Sequence, residues 1–439
     1  MAAPLTIIGQ KTIPTPWGER ILKRDFEVVL GKMLQSDQGN ELSTEEPYLR
    51  SANVQWHGVD VSDIKKMWFS PREKKELLLR AGDLVVNEGG DVGRCATWSG
   101  ELDACYFQNA VNRVRPRQKA SARFLYYWLY NIKHAGFIDA IVSRTTIAHL
   151  TAEKLEAIPW PDAPPADQQR IATYLDASCA AIDAAVLAKR QQLETLDALR
   201  SSMISRAVTQ GLNPQAAMMP SGLDWVSDVP AHWKVRQIKR LCSLVRGQFT
   251  HRPRNDPALY DGPYPFIQTG DITAAGKYIL THSQTLNELG LSASKQFPRG
   301  TLVMSIAANI GDVAILDFEA CFPDSMIGMI PGDNTHLDFL YYLMRAMRPI
   351  MLRSAVQSTQ LNINYVRIGT NFAPVPPLTE QVAIAKYLDE KEHESHLISD
   401  TIQIQIATLT AYRKSLIHEC VTGQRRITDA DVKRVKAHG

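Results

Sequence analysis

Cysteine is scarce in this 439-residue sequence, and the six that occur (Cys95, Cys105, Cys179, Cys242, Cys321 and Cys420) form no C-x-x-C pair. That scatter argues against a zinc cluster or a disulfide framework, and for reduced thiols in a cytoplasmic protein. No stretch approaches the roughly 20 consecutive apolar residues that span a bilayer. The opening residues, Met-Ala-Ala-Pro-Leu-Thr-Ile-Ile, lack the basic and apolar regions of a secretion signal, so no membrane association is expected. Charge of one sign is scarce as well. A net +3 is less than a freestanding nucleic-acid binder usually carries; any DNA-directed charge must be concentrated locally or supplied by a partner.

Catalytic motifs are missing too. Asn255-Asp256-Pro257-Ala258 lacks the second proline and the aromatic ring of an adenine methyltransferase motif. Pro161-Asp162 and Pro323-Asp324 have no acid-x-lysine partner at a useful distance for metal-dependent cleavage. Gly270 to Gly276-Lys277 is one residue too long for a phosphate loop and continues into Tyr278. His393 and His396 fall three apart on a charged face, and no metal site is expected there. The chain is expected to be non-catalytic and to hold no cofactor itself.

What is present is a duplication. QQRIATYLD at 168–176 and QVAIAKYLD at 381–389 align Gln168 with Gln381, Ile171 with Ile384, and Tyr174-Leu175-Asp176 with Tyr387-Leu388-Asp389. The same offset pairs Leu196 with Leu409, Arg200 with Arg413, and Val208-Thr209 with Val421-Thr422. Upstream, Pro14, Trp17, Arg20 and Gly31 answer to Pro230, Trp233, Arg236 and Gly247. Gly82-Asp83-Leu84-Val85 answers to Gly300-Thr301-Leu302-Val303, and Phe124–Tyr127 to Phe339–Tyr342. Between these anchors the copies diverge: Gly89-Gly90-Asp91-Val92 stands where the other has Ala307-Ala308-Asn309-Ile310. One scaffold with two sets of loops is how one fold reads two different things.

Residues 166–210 and 378–422 contain neither Gly nor Pro, and each follows a proline pair, which predicts two long helices. A helix of 45 residues would run roughly 67 Å. Ile182, Lys189, Leu196 and Met203, with Val186, Leu193, Arg200 and Ala207, form a heptad seam. Ser395, Ile402, Leu409 and Leu416, with Ser399, Ile406, Arg413 and Cys420, repeat it in register. Lys189, Arg200 and Arg413 on the seam imply that it is no sealed two-helix core and that a helix from another protein completes it. Ile182, Leu193, Leu196, Arg200, Ile402, Ile406, Leu409 and Arg413 are the expected partner-binding positions.

Leu84-Val85-Val86 and Leu302-Val303-Met304 read as strands, Phe124–Tyr130 and Phe339–Met344 as short helices. The fold class is mixed α/β (α+β). Its divisions are 1–161 and 214–374 as modules, 162–213 and 375–424 as helical spacers, and 425–439 as a flexible tail. Asn213–Gly222 reads as a connector.

No acid occurs from Ala104 to Ile138, while Arg113, Arg115, Arg117, Lys119, Arg123 and Lys133 are basic. In an extended segment Arg113, Arg115 and Arg117 share one face. Arg246, Gln248, His251, Arg252 and Arg254 cluster in the second copy. Arginines suit phosphates and guanine edges, and Gln or Asn pairs bidentately with adenine. The candidate DNA-contacting residues are Arg94, Arg113, Arg115, Arg144, Thr145, Arg246, Gln248, Arg252, Gln268, Thr269, Asp271, Asn309, Ser358, Thr359 and Gln360.

Ser221-Gly222-Leu223-Asp224-Trp225 with Val229-Pro230 and Trp233 resembles the opening of a target-recognition domain in type I restriction–modification specificity subunits. Pro376–Gln381, running on to Tyr387-Leu388-Asp389, resembles the start of that family's helical region. In the first copy Ala166-Asp167-Gln168 replaces Thr-Glu-Gln. The resemblance implies two pseudo-symmetric target-recognition domains separated by two long antiparallel coiled-coil helices. It implies that each domain reads one part of a bipartite asymmetric site in double-stranded DNA, with half-sites on the order of 10 bp apart. It also implies docking of two methylation subunits and of restriction subunits, which bring S-adenosylmethionine, ATP and Mg. A duplicated coiled-coil adaptor for proteins alone, and a divergent DNA methyltransferase or nuclease, are the competing readings.

Overall fold

The computed structural model describes residues 5–7, 11–13, 16–39, 41–142, 149–251, 253–307, 309–354 and 365–438. The chain divides into two compact units, residues 1–190 with 404–439, and residues 191–403. The boundaries fall within the helices Pro165–Gln210 and Leu378–Val421, so each unit contains part of both.

In the first unit the central sheet has the order Cys95–Thr97, Leu84–Asn87, Val111–Pro116, Phe26–Leu30, all antiparallel. Leu84 to Asn87 is buried throughout, which explains why that strand reads as an unbroken apolar run. The helix Ala122–His134 covers one face; Phe124, Leu125, Tyr127, Trp128 and Leu129 are almost wholly buried in its core. Three further strands, Tyr106–Phe107, Thr44–Leu49 and Lys65–Phe69, form a second sheet over the other core cluster.

The second unit repeats the central sheet in the same order: Val313–Leu316, Leu302–Ser305, Met326–Pro331, Cys242–Arg246. Tyr278–Ile279 adds a parallel edge strand. The helix Leu337–Ala346 takes the place of Ala122–His134, with Phe339, Leu340, Tyr342 and Leu343 buried. A second sheet runs Gln284–Leu286, Tyr260–Phe266, Ala320–Cys321, Gln296–Phe297.

The long helices are Pro165–Gln210 and Leu378–Val421. The repeated QxxIAxYLD motif has a structural reason at nearly every letter. Oε1 of Gln168 accepts the N–H of Ser121 (2.9 Å) and its Nε2 donates to the carbonyl of Ala163 (2.8 Å), tying the starts of two helices together. Gln381 does the same with His336 (2.8 Å) and Pro376 (3.0 Å). Ile171, Leu175, Ile384 and Leu388 are buried in the two cores. Asp176 and Asp389 accept the hydroxyls of Tyr127 (2.7 Å) and Tyr342 (2.6 Å). The cation beside each carboxylate differs: Arg123 (2.6 Å) comes from the short helix, whereas Lys277 (2.6 Å) comes from a loop. Position 338, the counterpart of Arg123, is Asp, and Lys277 bridges it as well (3.1 Å).

Within each unit the two long helices run antiparallel. Asp183 meets Arg413 (3.1 Å) in the first, and Arg200 faces Glu392 (3.6 Å) and His396 (3.4 Å) in the second. Burial follows the heptads: positions 182, 186, 189, 193, 196, 200, 203 and 207 are half-buried or buried, and their neighbours mostly exposed.

Three expectations need correction. The tail from 425 is not a loose end, because Asp429–His438 is a helix whose Val432 and Val435 pack on the first core beside buried Ile427. Arg170 reaches Asp429 (2.7 Å), and Thr428 and Asp431 cap each other's backbone N–H groups; the Thr-x-x-Asp spacing was a readable capping signal. The connector 213–222 contains part of a hairpin, Met218–Leu223 against Val226–Pro230. Finally, Pro165–Gln210 is long and apolar enough by composition to cross a bilayer, although no such stretch was expected. Its apolarity comes from alanine plus the residues packed on the core, while Asp176 and Asp183 are held in ion pairs with arginine.

Candidate nucleic-acid interface

The two modules present their divergent loops on one backbone frame. In the first, the N–H groups of Asn87, Gly93 and Arg94 donate to the carbonyls of Arg94 (2.8 Å), Asn87 (2.9 Å) and Asp91 (3.1 Å). In the second, Ser305, Gly311 and Asp312 donate to Asp312 (2.9 Å), Ser305 (3.0 Å) and Asn309 (3.2 Å). Gly93 and Gly311 both stand in the left-handed region, at φ 81° and 83°, which glycine adopts without steric cost. The frame is shared; the side chains on it are Asp91 and Arg94 in one copy, Asn309 and Asp312 in the other.

The first module keeps several of its cations for itself. Arg113 is 3% exposed, and its Nη1 donates to the carbonyl of Glu76 (2.7 Å) while Nη2 lies 3.4 Å from Glu27. Arg115 grips Asp83 with two bonds (2.7 and 2.6 Å). The expectation that these arginines contact DNA is therefore corrected. The strand Val111–Pro116 does put both on one face, but that face is covered by the segment 76–83. Arg94 is half-buried, 3.5 Å from Asp91 and bonded to the carbonyl of Ser51 (3.4 Å). Arg144 and Thr145 lie outside the described residues, as do Arg252, Ser358, Thr359 and Gln360.

Beside that loop, burial pushes the Glu88 carboxyl above its ordinary value, against the opposing pull of His149, whose Nδ1 lies 3.8 Å away. A raised folded-state value means that ionising Glu88 costs stability as pH rises past the ordinary 4.5. Glu88→Gln is expected to match the native chain near about pH 4 and to melt higher from about pH 6 upward. Thermal unfolding followed across that range checks it; a variant that melts lower at neutral pH would contradict the burial argument.

The second module is more open. Arg246 is exposed, with Nε on the carbonyl of Asp324 (2.7 Å), and Arg254 pairs with the Asp324 carboxylate (2.6 Å). Gln248 is exposed and Thr269 half-buried. Asn309 donates to the Thr273 hydroxyl (2.9 Å), which donates to Asp312 (2.9 Å), itself paired with Arg348 (2.8 Å). This chain borders a polar cavity of about 690 Å³ that Arg200, Lys277, Arg345 and Glu392 also line. Asp271 was expected to face DNA but is an internal clamp: its Oδ2 accepts the N–H of Gln268 (2.7 Å) and the hydroxyl of Ser283 (3.2 Å). Gln268 in turn bonds Gln284 (2.9 Å). Sequence reading missed Gln284, Thr273 and Arg348, because strand pairing and loop closure brought them in.

The partner-binding positions also need revision. Ile182 and Ile402 are buried, and Leu193, Leu196, Ile406 and Leu409 half-buried. Arg200 and Arg413 are engaged by the acids already named. Heptad residues are the covered ones. Exposed apolar side chains on the long helices include Leu187, Ile404 and Tyr412 in the first unit and Leu199, Leu397 and Ile398 in the second.

A family model described as type I restriction modification DNA specificity domain matches residues 14–195 and again 230–408. The chain is 22% identical, over 96% of both lengths, to a Methanocaldococcus jannaschii protein named for the MjaX type I restriction enzyme specificity subunit. It is 20% identical to the EcoBI type I specificity subunit of Escherichia coli, over 78% of this chain and 73% of that one. Among solved structures, a chain from a type I restriction–modification system superposes with a TM-score of 0.72 at 16% identity, covering 93% of this chain and 98% of the other. The HsdS subunit of Thermoanaerobacter tengcongensis gives 0.56 at 16% identity, covering 96% and 100%.

Proposed function

The chain belongs to the type I restriction–modification DNA specificity family, and on that premise we propose that it reads a bipartite, asymmetric duplex target, one part with each module. It is a DNA-recognition subunit. The observation that carries the two-part reading is the pair of loops on one hydrogen-bonded frame, Asp91 and Arg94 against Asn309 and Asp312. One frame places the side chains; different side chains read different bases.

In this reading the long helices set the spacing between the half-sites and dock two methylation subunits. Exposed Leu187, Ile404 and Tyr412 in the first unit, and Leu199, Leu397 and Ile398 in the second, supply apolar side chains for that docking. The chain acts without catalysis of its own, in the cytoplasm. S-adenosylmethionine, ATP and Mg belong to the methylation and restriction subunits. Among the described residues no group of three or more His, Cys, Asp or Glu is placed to hold a metal.

Long-read methylation sequencing of cells that express the chain with its methylation subunit tests the proposal. The expected result is a split, asymmetric methylated motif that vanishes when the chain is omitted. If complex assembles with an active partner and no motif appears, a protein-only adaptor is the better reading.

A further inference from the structure

We propose that Gln268 and Gln284 form one fixed adenine-reading unit in the second module; this deepens the DNA-recognition reading and rests on it. Gln268 caps the short helix Thr269–Ala274, and Gln284 opens the strand Gln284–Leu286, directly opposite Phe266. Nε2 of Gln268 donates to Oε1 of Gln284 at 2.9 Å. That bond uses the donor end of one carboxamide and the acceptor end of the other. Oε1 of Gln284 keeps a second lone pair and its Nε2 carries two N–H groups, so this one exposed carboxamide, oriented by Gln268, presents an acceptor beside a donor.

That array has a definite complement. In the major groove adenine offers an N6 donor next to an N7 acceptor, whereas guanine offers two acceptors and cytosine a donor alone. Adenine meets both groups of the Gln284 carboxamide at once, N6 giving to Oε1 and N7 accepting from Nε2.

The surroundings hold the pair in place. One carboxylate oxygen of Asp271 takes the N–H of Gln268 (2.7 Å) and the hydroxyl of Ser283 (3.2 Å), so it fixes the backbone beside both amides. Gln284 is exposed and Gln268 half-buried. Both line a cavity of about 440 Å³ floored by buried Phe249 and Phe266, with Arg254 on its rim. Side chains already immobilised lose less entropy when they bind.

The test uses the full chain co-expressed with its methylation subunit, as native sequence and as Gln284→Ala, Gln284→Glu and Gln268→Ala. Methylated motifs are read by long-read sequencing. Gln284→Ala is expected to relax one A·T position of one half-site by roughly ten- to a hundredfold, with the other half-site unchanged. Gln284→Glu keeps the size and the bond from Gln268 but presents two acceptors, so preference at that position should move toward the cytosine N4 amine. Duplexes with 7-deazaadenine at that position should lose binding to the native complex by a similar factor and lose none to Gln284→Ala. Native selectivity in both Gln284 variants would overturn the adenine assignment alone, leaving DNA recognition intact. No motif from the native chain would take down both. Retained selectivity at the remaining positions of the same half-site excludes misfolding of the second module as the cause of any relaxation.

Discussion

Arg345→Ala is expected to destabilise the second unit by about 3–5 kcal/mol, the range for breaking a buried ion pair from one side. Arg345 bonds Glu392 at 2.6 Å, and the Glu392 side chain is 10% exposed. Without Arg345 that carboxylate keeps, among the described residues, Arg200 at 3.6 Å and the Tyr342 hydroxyl at 3.2 Å. The first unit shows what an uncharged solution looks like. There Tyr130 and Cys179 occupy the matching positions, and Arg413 lies over the Tyr130 ring at 5.0 Å. Arg345→Tyr combined with Glu392→Cys should therefore recover most of what either change loses alone, a coupling that denaturant titration of all three variants measures. Additive losses would mean that the pair is not a unit.

Gly31→Ala and Gly247→Ala are each expected to cost about 3 kcal/mol or more, the upper end for overpacking. A Cβ at Gly31 would sit inside 3.0 Å of the carbonyls of Gln108 and Phe107; at Gly247 it would meet those of Pro323 and Phe322. The obstacle is backbone in both cases, so no rotamer change relieves it. The hydrogen bonds are also duplicated, Gly31 to Val111 (3.1 Å) and Gly247 to Met326 (2.9 Å). Unfolding midpoints of the two variants test the claim, and a loss below about 1 kcal/mol at either glycine would show that the strands part easily there.

Those glycines show how far the sequence could be read. Their match was visible as part of the repeat, together with Gln168 and Gln381, before any reason for it was known. The reasons are contacts between segments distant in sequence: Gly31 against Gln108, Gln168 against Ser121. The helices were legible because heptad periodicity and the lack of Gly and Pro are properties of a contiguous stretch.

The sequence alone determined the duplication, the two long helices, the core strands and the family. Each of these is encoded locally or by self-similarity. Only the tertiary structure decided which polar groups are free. Arg113 and Arg115 belong to an acid-free basic run, yet Glu76, Leu78 and Asp83 claim them through pairings more than thirty residues long. Gln284 carries no motif and gains its partner through strand pairing next to Gln268. Heptad residues were visible as helix-packing positions, but which apolar residues stay exposed emerged once the seam had been covered. A side chain's chemistry is written at its own position; its availability depends on which distant backbone folds over it.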